Sequence, residues 1–131
     1  MNMSKSQDAM KAYEIVRALQ KRFVDKLDNL SAEFGENKRF QELNWLRNNG
    51  IYGGGSRFEA RDEVLFNTAS VNVSQVHYDE DLNKSLQSAT AISTIIHPKN
   101  NQYCLLSFLY NLKKLFPVPA PVKLLVSFSH Y

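Results

Sequence analysis

The apolar residues of this chain change period part-way along it. Between residues 6 and 30, Ala12, Ile15, Val16, Leu19, Phe23, Leu27 and Leu30 recur at spacings near three and four. That repeat places them on one side of an α-helix, with Lys11, Arg17, Lys21, Arg22 and Lys26 largely between them. Ser6 or Asp8 is suited to cap the start, because a short oxygen-bearing side chain satisfies the first free backbone amides. From residue 57 the period is two. Arg57, Glu59 and Arg61 alternate with Phe58 and Ala60, Asp62-Glu63 makes a turn, and Val64-Leu65-Phe66 begins a second strand. Val71, Val73, Gln75 and His77 share one face of a third strand, with Asn72, Ser74 and Val76 on the other. Ala91 to Ile96 reads as a further strand closed by His97-Pro98-Lys99-Asn100. A helix followed by short strands and tight turns predicts an α+β fold, a leading amphipathic helix packed on an antiparallel β-sheet.

The segments between these elements are punctuated by turn residues. Gly35-Glu36-Asn37 ends the helical stretch, and Asn48-Asn49-Gly50 is a turn signal because Asn and Gly tolerate positive φ. Gly53-Gly54-Gly55 follows almost at once and reads as a tight loop between strands. Neither Gly-Lys-Ser/Thr nor a G-x-G-x-x-G spacing accompanies it, so it carries no phosphate-binding signature. Asp79-Glu80-Asp81 reads as a solvated loop, since no other ligands stand at metal-binding spacing.

At 131 residues the chain has the length of a single domain, and 44% hydrophobic with 22% charged residues is the balance of a globular protein. A formal net charge of +3 does not by itself point to a nucleic-acid partner. The charge is unevenly placed: all 13 acidic residues lie at or before Asp81. Beyond it stand only Lys84, Lys99, Lys113, Lys114 and Lys123, in a stretch more apolar than basic. The longest apolar run, Tyr103 to Tyr110, is far short of the roughly 20 residues of a membrane span. Cys104 is the sole cysteine, so no intrachain disulfide framework is expected. No secretory signal pattern opens the chain, and the expected compartment is the cytoplasm.

Four segments in order carry a family resemblance. They are Phe40-Gln41-Glu42-Leu43-Asn44-Trp45-Leu46-Arg47; Gly53-Gly54-Gly55-Ser56-Arg57; the run from Val64 through Asn72-Val73-Ser74 to His77; and Ala91-Ile92-Ser93-Thr94-Ile95-Ile96-His97-Pro98-Lys99-Asn100. Over about residues 40 to 100 the chain resembles the oxygen-dependent coproporphyrinogen III oxidases. That family has an aromatic, an acidic stretch and Trp-x-Arg at the first place, and a glycine run followed by Ser-Arg at the second. It has Val-Phe-Glu-x-Ala-Gly-Val-Asn-x-Ser-x-Val-His-Gly at the third and Gly-Val-Ser-x-Val-x-His-Pro-x-Asn-Pro at the fourth. Asn67, Ser70, Tyr78 and Ala91 depart from it, the first standing for an acidic residue and the others for glycines.

The departure is greater from Asn101, where the family has proline. Its His-x-Asn-x-Arg strand, bearing the proton-donating histidine, falls at Ser107, Phe108, Leu109, Tyr110 and Asn111. The resemblance therefore implies a partial version of the oxidase domain over residues 1–131, with 101–131 a divergent tail that a shifted reading frame or a truncated gene product explains. Phe108, Leu112, Leu115, Phe116, Leu124 and Phe128 in that tail are expected to pack poorly and to favour self-association.

The reaction implied is oxidative decarboxylation of two propionates of coproporphyrinogen III to vinyl groups, giving protoporphyrinogen IX in haem biosynthesis. Molecular oxygen is the oxidant and no organic cofactor is implied; the full-length family forms homodimers. Ser93 matches a substrate-binding serine, although an ordinary strand serine fits the residues as well. Arg57 suits a substrate carboxylate, because a guanidinium fork matches that group; an ion pair with Glu59 or Glu63 is its other reading. His97 matches a histidine that binds a divalent metal in some members, whereas a histidine before proline at a strand end is commonly structural. With the proton donor missing, weak or no turnover is expected from this chain. A non-catalytic remnant that binds porphyrinogen, or pairs with a relative, is the alternative.

Overall fold

A computed structural model describes residues 3–35, 38–61, 64–81 and 83–99, and the backbone of 124–127. Helix α1 (Gln7–Glu33) comes first, followed by β1 (Gln41–Leu46), a 3-10 turn (Asn48–Gly50), β2 (Gly53–Arg61), β3 (Phe66–His77), β4 (Ser88–Pro98) and β5 (Leu124–Ser127). The strands form one sheet in the order β1-β2-β3-β4-β5. The pairs β1–β2, β2–β3 and β3–β4 are antiparallel, and β5 runs parallel to β4. The helix lies against β3 and β4. The expected α+β arrangement, a leading helix on an antiparallel sheet, is thus present. Among the described residues no helix is long and apolar enough to cross a membrane.

Ser6 caps α1, its hydroxyl accepting from the Ala9 amide at 3.4 Å. The buried face of the helix is turned relative to the one expected. Val16, Phe23 and Leu27 are buried, but so are Gln20, Val24 and Ser31, while Ile15 is exposed and Leu19 and Leu30 are half-buried. The polar Gln20 belongs to this face because its amide has partners there. Its Nε2 donates to the backbone oxygens of Ser56 and Val71, at 2.8 and 2.9 Å. A buried amide is tolerated when it is bonded in this way.

The sheet differs from the expected one in several respects. Residues 41–46, given no strand from sequence, form an edge strand exposed along its length. Gly53-Gly54-Gly55 is no loop but the start of β2, paired to β1 on one side and β3 on the other. A Cβ on Gly55 would meet the Val73 carbonyl oxygen at 2.2 Å and the Trp45 ring at 2.7 Å, so that position admits only hydrogen. The second and third strands are one, since β3 runs unbroken from Phe66 to His77, and residues 62–63 lie outside the described residues. The alternation along β3 is as expected, with Val71, Val73, Gln75 and His77 on its buried face. The turn after β1 is also as expected: Asn48 and Asn49 take φ of 47° and 54°, and the Gly50 amide donates to Arg47.

Leu124–Ser127, in the tail expected to pack poorly, extends the sheet beside Ile92–Ile95. The expectations for the remainder of residues 101–131, Ser107 included, fall outside the described residues.

A second buried glutamine fixes the segment before the helix. Gln75 donates to the Ala9 carbonyl at 2.9 Å and accepts from the Ser4 amide at 3.1 Å. Asp79 completes this clasp, accepting from the Lys5 amide and from the Ser4 hydroxyl, the latter at 3.0 Å. The Asp79 carboxyl is held below its ordinary value of 3.8, chiefly by the Lys5 amide, then by the Ser4 hydroxyl and the nearby His77 and Lys5; burial opposes them. A carboxyl depressed in the folded state adds stability that is fully present above its unfolded value. That stability is lost as pH falls through the lower folded value.

Two outcomes follow from this packing. Thermal melts across an acid series should show the midpoint falling below about pH 4, and Asp79→Asn should lower the midpoint at neutral pH while flattening that acid limb. A variant whose acid limb matches the parent's would show that Asp79 is not part of it. Gly55→Val should lose about 1–3 kcal/mol in urea unfolding, through the forced displacement of Trp45 and the β3 backbone; a loss under 0.5 kcal/mol, about the size of a neutral surface change, would contradict the close approach.

Candidate functional site

Because side chains alternate along a strand, one face of this sheet meets α1 and the other does not. Val71, Val73, Ile92, Thr94 and Ile96 form the covered face with Phe23, Val24 and Leu27 of the helix. On the opposite face the register aligns Leu43, Arg57, Asn72 and Ser93 in one row across β1 to β4. Trp45, Gly55, Ser74 and Ala91 make the next row, and Thr68 is paired with His97 beyond the other end. Arg57, Ser93 and His97, each singled out from sequence on separate grounds, therefore share this open face.

Arg57 is exposed and ion-paired with Glu59 at 3.2 Å, while Arg61 approaches the same carboxylate at 3.6 Å. The first of the two ion pairs considered for Arg57 is thus formed, and Glu63 lies outside the described residues. Two guanidinium groups against one carboxylate leave this strip with a net positive charge. Exposed pairs of this kind are weak, so Arg57 is readily shared with an incoming anion.

Asn72 stands between Arg57 and Ser93 in the row. Its Oδ1 accepts from the indole Nε1 of Trp45 at 3.0 Å. The Trp45 ring reaches that position by lying over Gly55, where no Cβ intervenes. Alternation along the strand places Asn72 on the face opposite Val71 and Val73 but assigns it no role, and in the sequence Trp45 is only part of a motif. The pairing of Asn72 with Ser93 comes from the β3–β4 register. The contact to Trp45 required the β1–β2 register, which no local pattern reveals.

His97 is half-buried near the end of β4. Among the described residues no three His, Cys, Asp or Glu side chains converge on one point, and a single imidazole does not hold a divalent ion. His77 lies on the covered face, 3.8 Å from Asp79, and contributes to the clasp rather than to the open face.

A cleft of about 420 Å³ opens on the other side of the sheet, between α1 and β1. Its rim carries Arg17, Lys21 and Arg39 against Asp25, Asp28 and Glu42, so its charges cancel. Arg17 is already bound to Glu42 at 3.0 Å. The Glu42 carboxyl is held below its ordinary value of 4.5, first by the Ser56 hydroxyl that donates to it at 2.6 Å and then by Arg17. These groups satisfy one another and tie the helix to the sheet. The open face is the better candidate, because its donors stand in a row and its charge has one sign in excess.

No protein-family model matches the chain, and no curated protein matches it.

Proposed function

We propose that this chain carries the porphyrinogen-holding part of an oxygen-dependent coproporphyrinogen III oxidase, on a partial version of that family's fold. The observation supporting it is that Ser93, matched to the family's substrate-binding serine, and Arg57, whose guanidinium suits a carboxylate, share the open face, aligned through Asn72. A guanidinium, an amide and a hydroxyl in a line suit the carboxylates that fringe coproporphyrinogen. Strands are about 4.8 Å apart, so the row from Arg57 to Ser93 spans roughly 10 Å, room for more than one carboxylate of a macrocycle.

In the reaction, each reacting propionate loses its carboxylate as carbon dioxide and one hydrogen with two electrons to molecular oxygen, which takes up a proton from solvent, leaving a vinyl group and hydrogen peroxide. The electron-rich macrocycle is itself the reductant, so the protein's work is to hold, orient and protonate. The row on the open face does the holding. Protonation belongs to the family's histidine, whose place is taken by Ser107. Binding and turnover should consequently separate, since loss of a positioned acid typically lowers rate by ~10²–10⁴.

An aerobic assay with coproporphyrinogen III tests this, comparing the 131-residue chain with one continued from Asn100 in the family's pattern. Vinyl product is followed by porphyrin fluorescence after oxidation. Weak binding without vinyl product is expected from the first, and turnover from the second. Robust turnover by the 131-residue chain would show that no donor is missing. A folded, extended chain that neither binds nor turns over would reject the family reading.

A further inference from the structure

We propose that Trp45 is a positioning residue for the open face: its indole N–H fixes the Asn72 amide so that Arg57, Asn72 and Ser93 together present hydrogen-bond donors to a carboxylate. The inference rests on the carboxylate-binding reading above and adds to it the pair of residues that sets the polarity of the row.

An indole nitrogen only donates, so the Asn72 atom that meets it at 3.0 Å is the amide oxygen. With the oxygen engaged, Nδ2 and its two hydrogens are what Asn72 offers elsewhere, and Nδ2 has no partner among the described residues. An unfixed asparagine amide rotates freely and presents oxygen or nitrogen with similar ease. Its oxygen would repel a carboxylate placed between Arg57 and Ser93. Holding the oxygen back removes that state and leaves a guanidinium, an NH₂ group and a hydroxyl in register.

Two further observations fit a site rather than a fold contact. Trp45 is 36% exposed, on an edge strand whose six residues are all exposed, so the indole contributes little to the core. Gly55 is the residue over which the ring must pass, and a side chain there would block the contact. The bond therefore depends on a local arrangement that burial of the helix face does not demand.

Trp45 is the sole tryptophan, so its indole N–H gives one unambiguous resonance. The test titrates the full chain with glutarate, a small dicarboxylate, and with its uncharged counterpart glutaramide. The side-chain amide of Asn72 and the backbone amide of Ser93 are followed by NMR. Glutarate should shift both and glutaramide neither. Trp45→Phe keeps the ring and deletes the N–H; it should weaken glutarate binding about tenfold, the size of one lost hydrogen bond. Asn72→Leu deletes the other partner, and the double variant should be no weaker than the worse single one.

Unchanged glutarate affinity in Trp45→Phe would overturn the positioning role, as would additive losses in the double variant. Absence of any glutarate shift in the parent chain would overturn the donor row itself. If glutarate binds and the two variants couple while coproporphyrinogen is neither bound nor turned over, the row stands and the porphyrinogen reading fails.

Discussion

A single helix can dry only one face of a sheet, and most of the described architecture is a consequence of that. The apolar alternation of β3 and β4 is spent against α1, where Val71, Val73, Ile92 and Ile96 meet Phe23, Val24 and Leu27. The other face keeps Arg57, Glu59, Asn72, Ser74 and Ser93, with Leu43, Trp45, Ala91 and Ile95 among them. The polar residues in the middle of the open face are therefore not an independent feature. They are the complement of the core.

Two glutamines set how the helix sits on that core. Gln20 bonds backbone oxygens of β2 and β3, and Gln75 reaches from β3 to the Ala9 carbonyl and the Ser4 amide. Apolar packing is non-directional, whereas these amides must meet particular atoms, so they select one placement of α1 among those its apolar face allows. Removing either amide would leave buried polar atoms without partners, a loss of about 1–3 kcal/mol for each group. The same logic ties the segment before the helix to Asp79, and with it the stability of that end to acid.

Much of this was legible in the chain because burial imposes periods. The helix, the face of β3 and the turn at Asn48–Gly50 are all local consequences of spacing or of φ preference. What was not legible depended on residues far apart. Ile15 looks like a core residue until Gln20 finds its two carbonyls and turns the helix. The glycines at 53–55 have the composition of a loop, yet they are in the sheet, where the β3 backbone comes too close to Gly53 and Gly55, and the Trp45 ring to Gly55, for any Cβ. Strand β1 has Leu43 and Trp45 at period two, but exposure on both sides leaves no strong pattern to read. Of the open face, Arg57, Ser93 and His97 stand out by residue type or motif, while Trp45 and Asn72 gain roles only from the register of three strands.

The central claim is that the face of the sheet away from α1 is where ligand is held. Amide chemical-shift mapping with coproporphyrin III, the air-stable oxidised relative of the proposed substrate, tests it most directly. The account predicts shifts concentrated on Arg57, Ser70, Asn72, Ser74 and Ser93, with the helix-facing residues of the same strands, Val71, Val73 and Thr94, and the cleft residues Lys21 and Asp25 little changed. Shifts centred on the cleft between α1 and β1, or spread evenly over the chain, would contradict it.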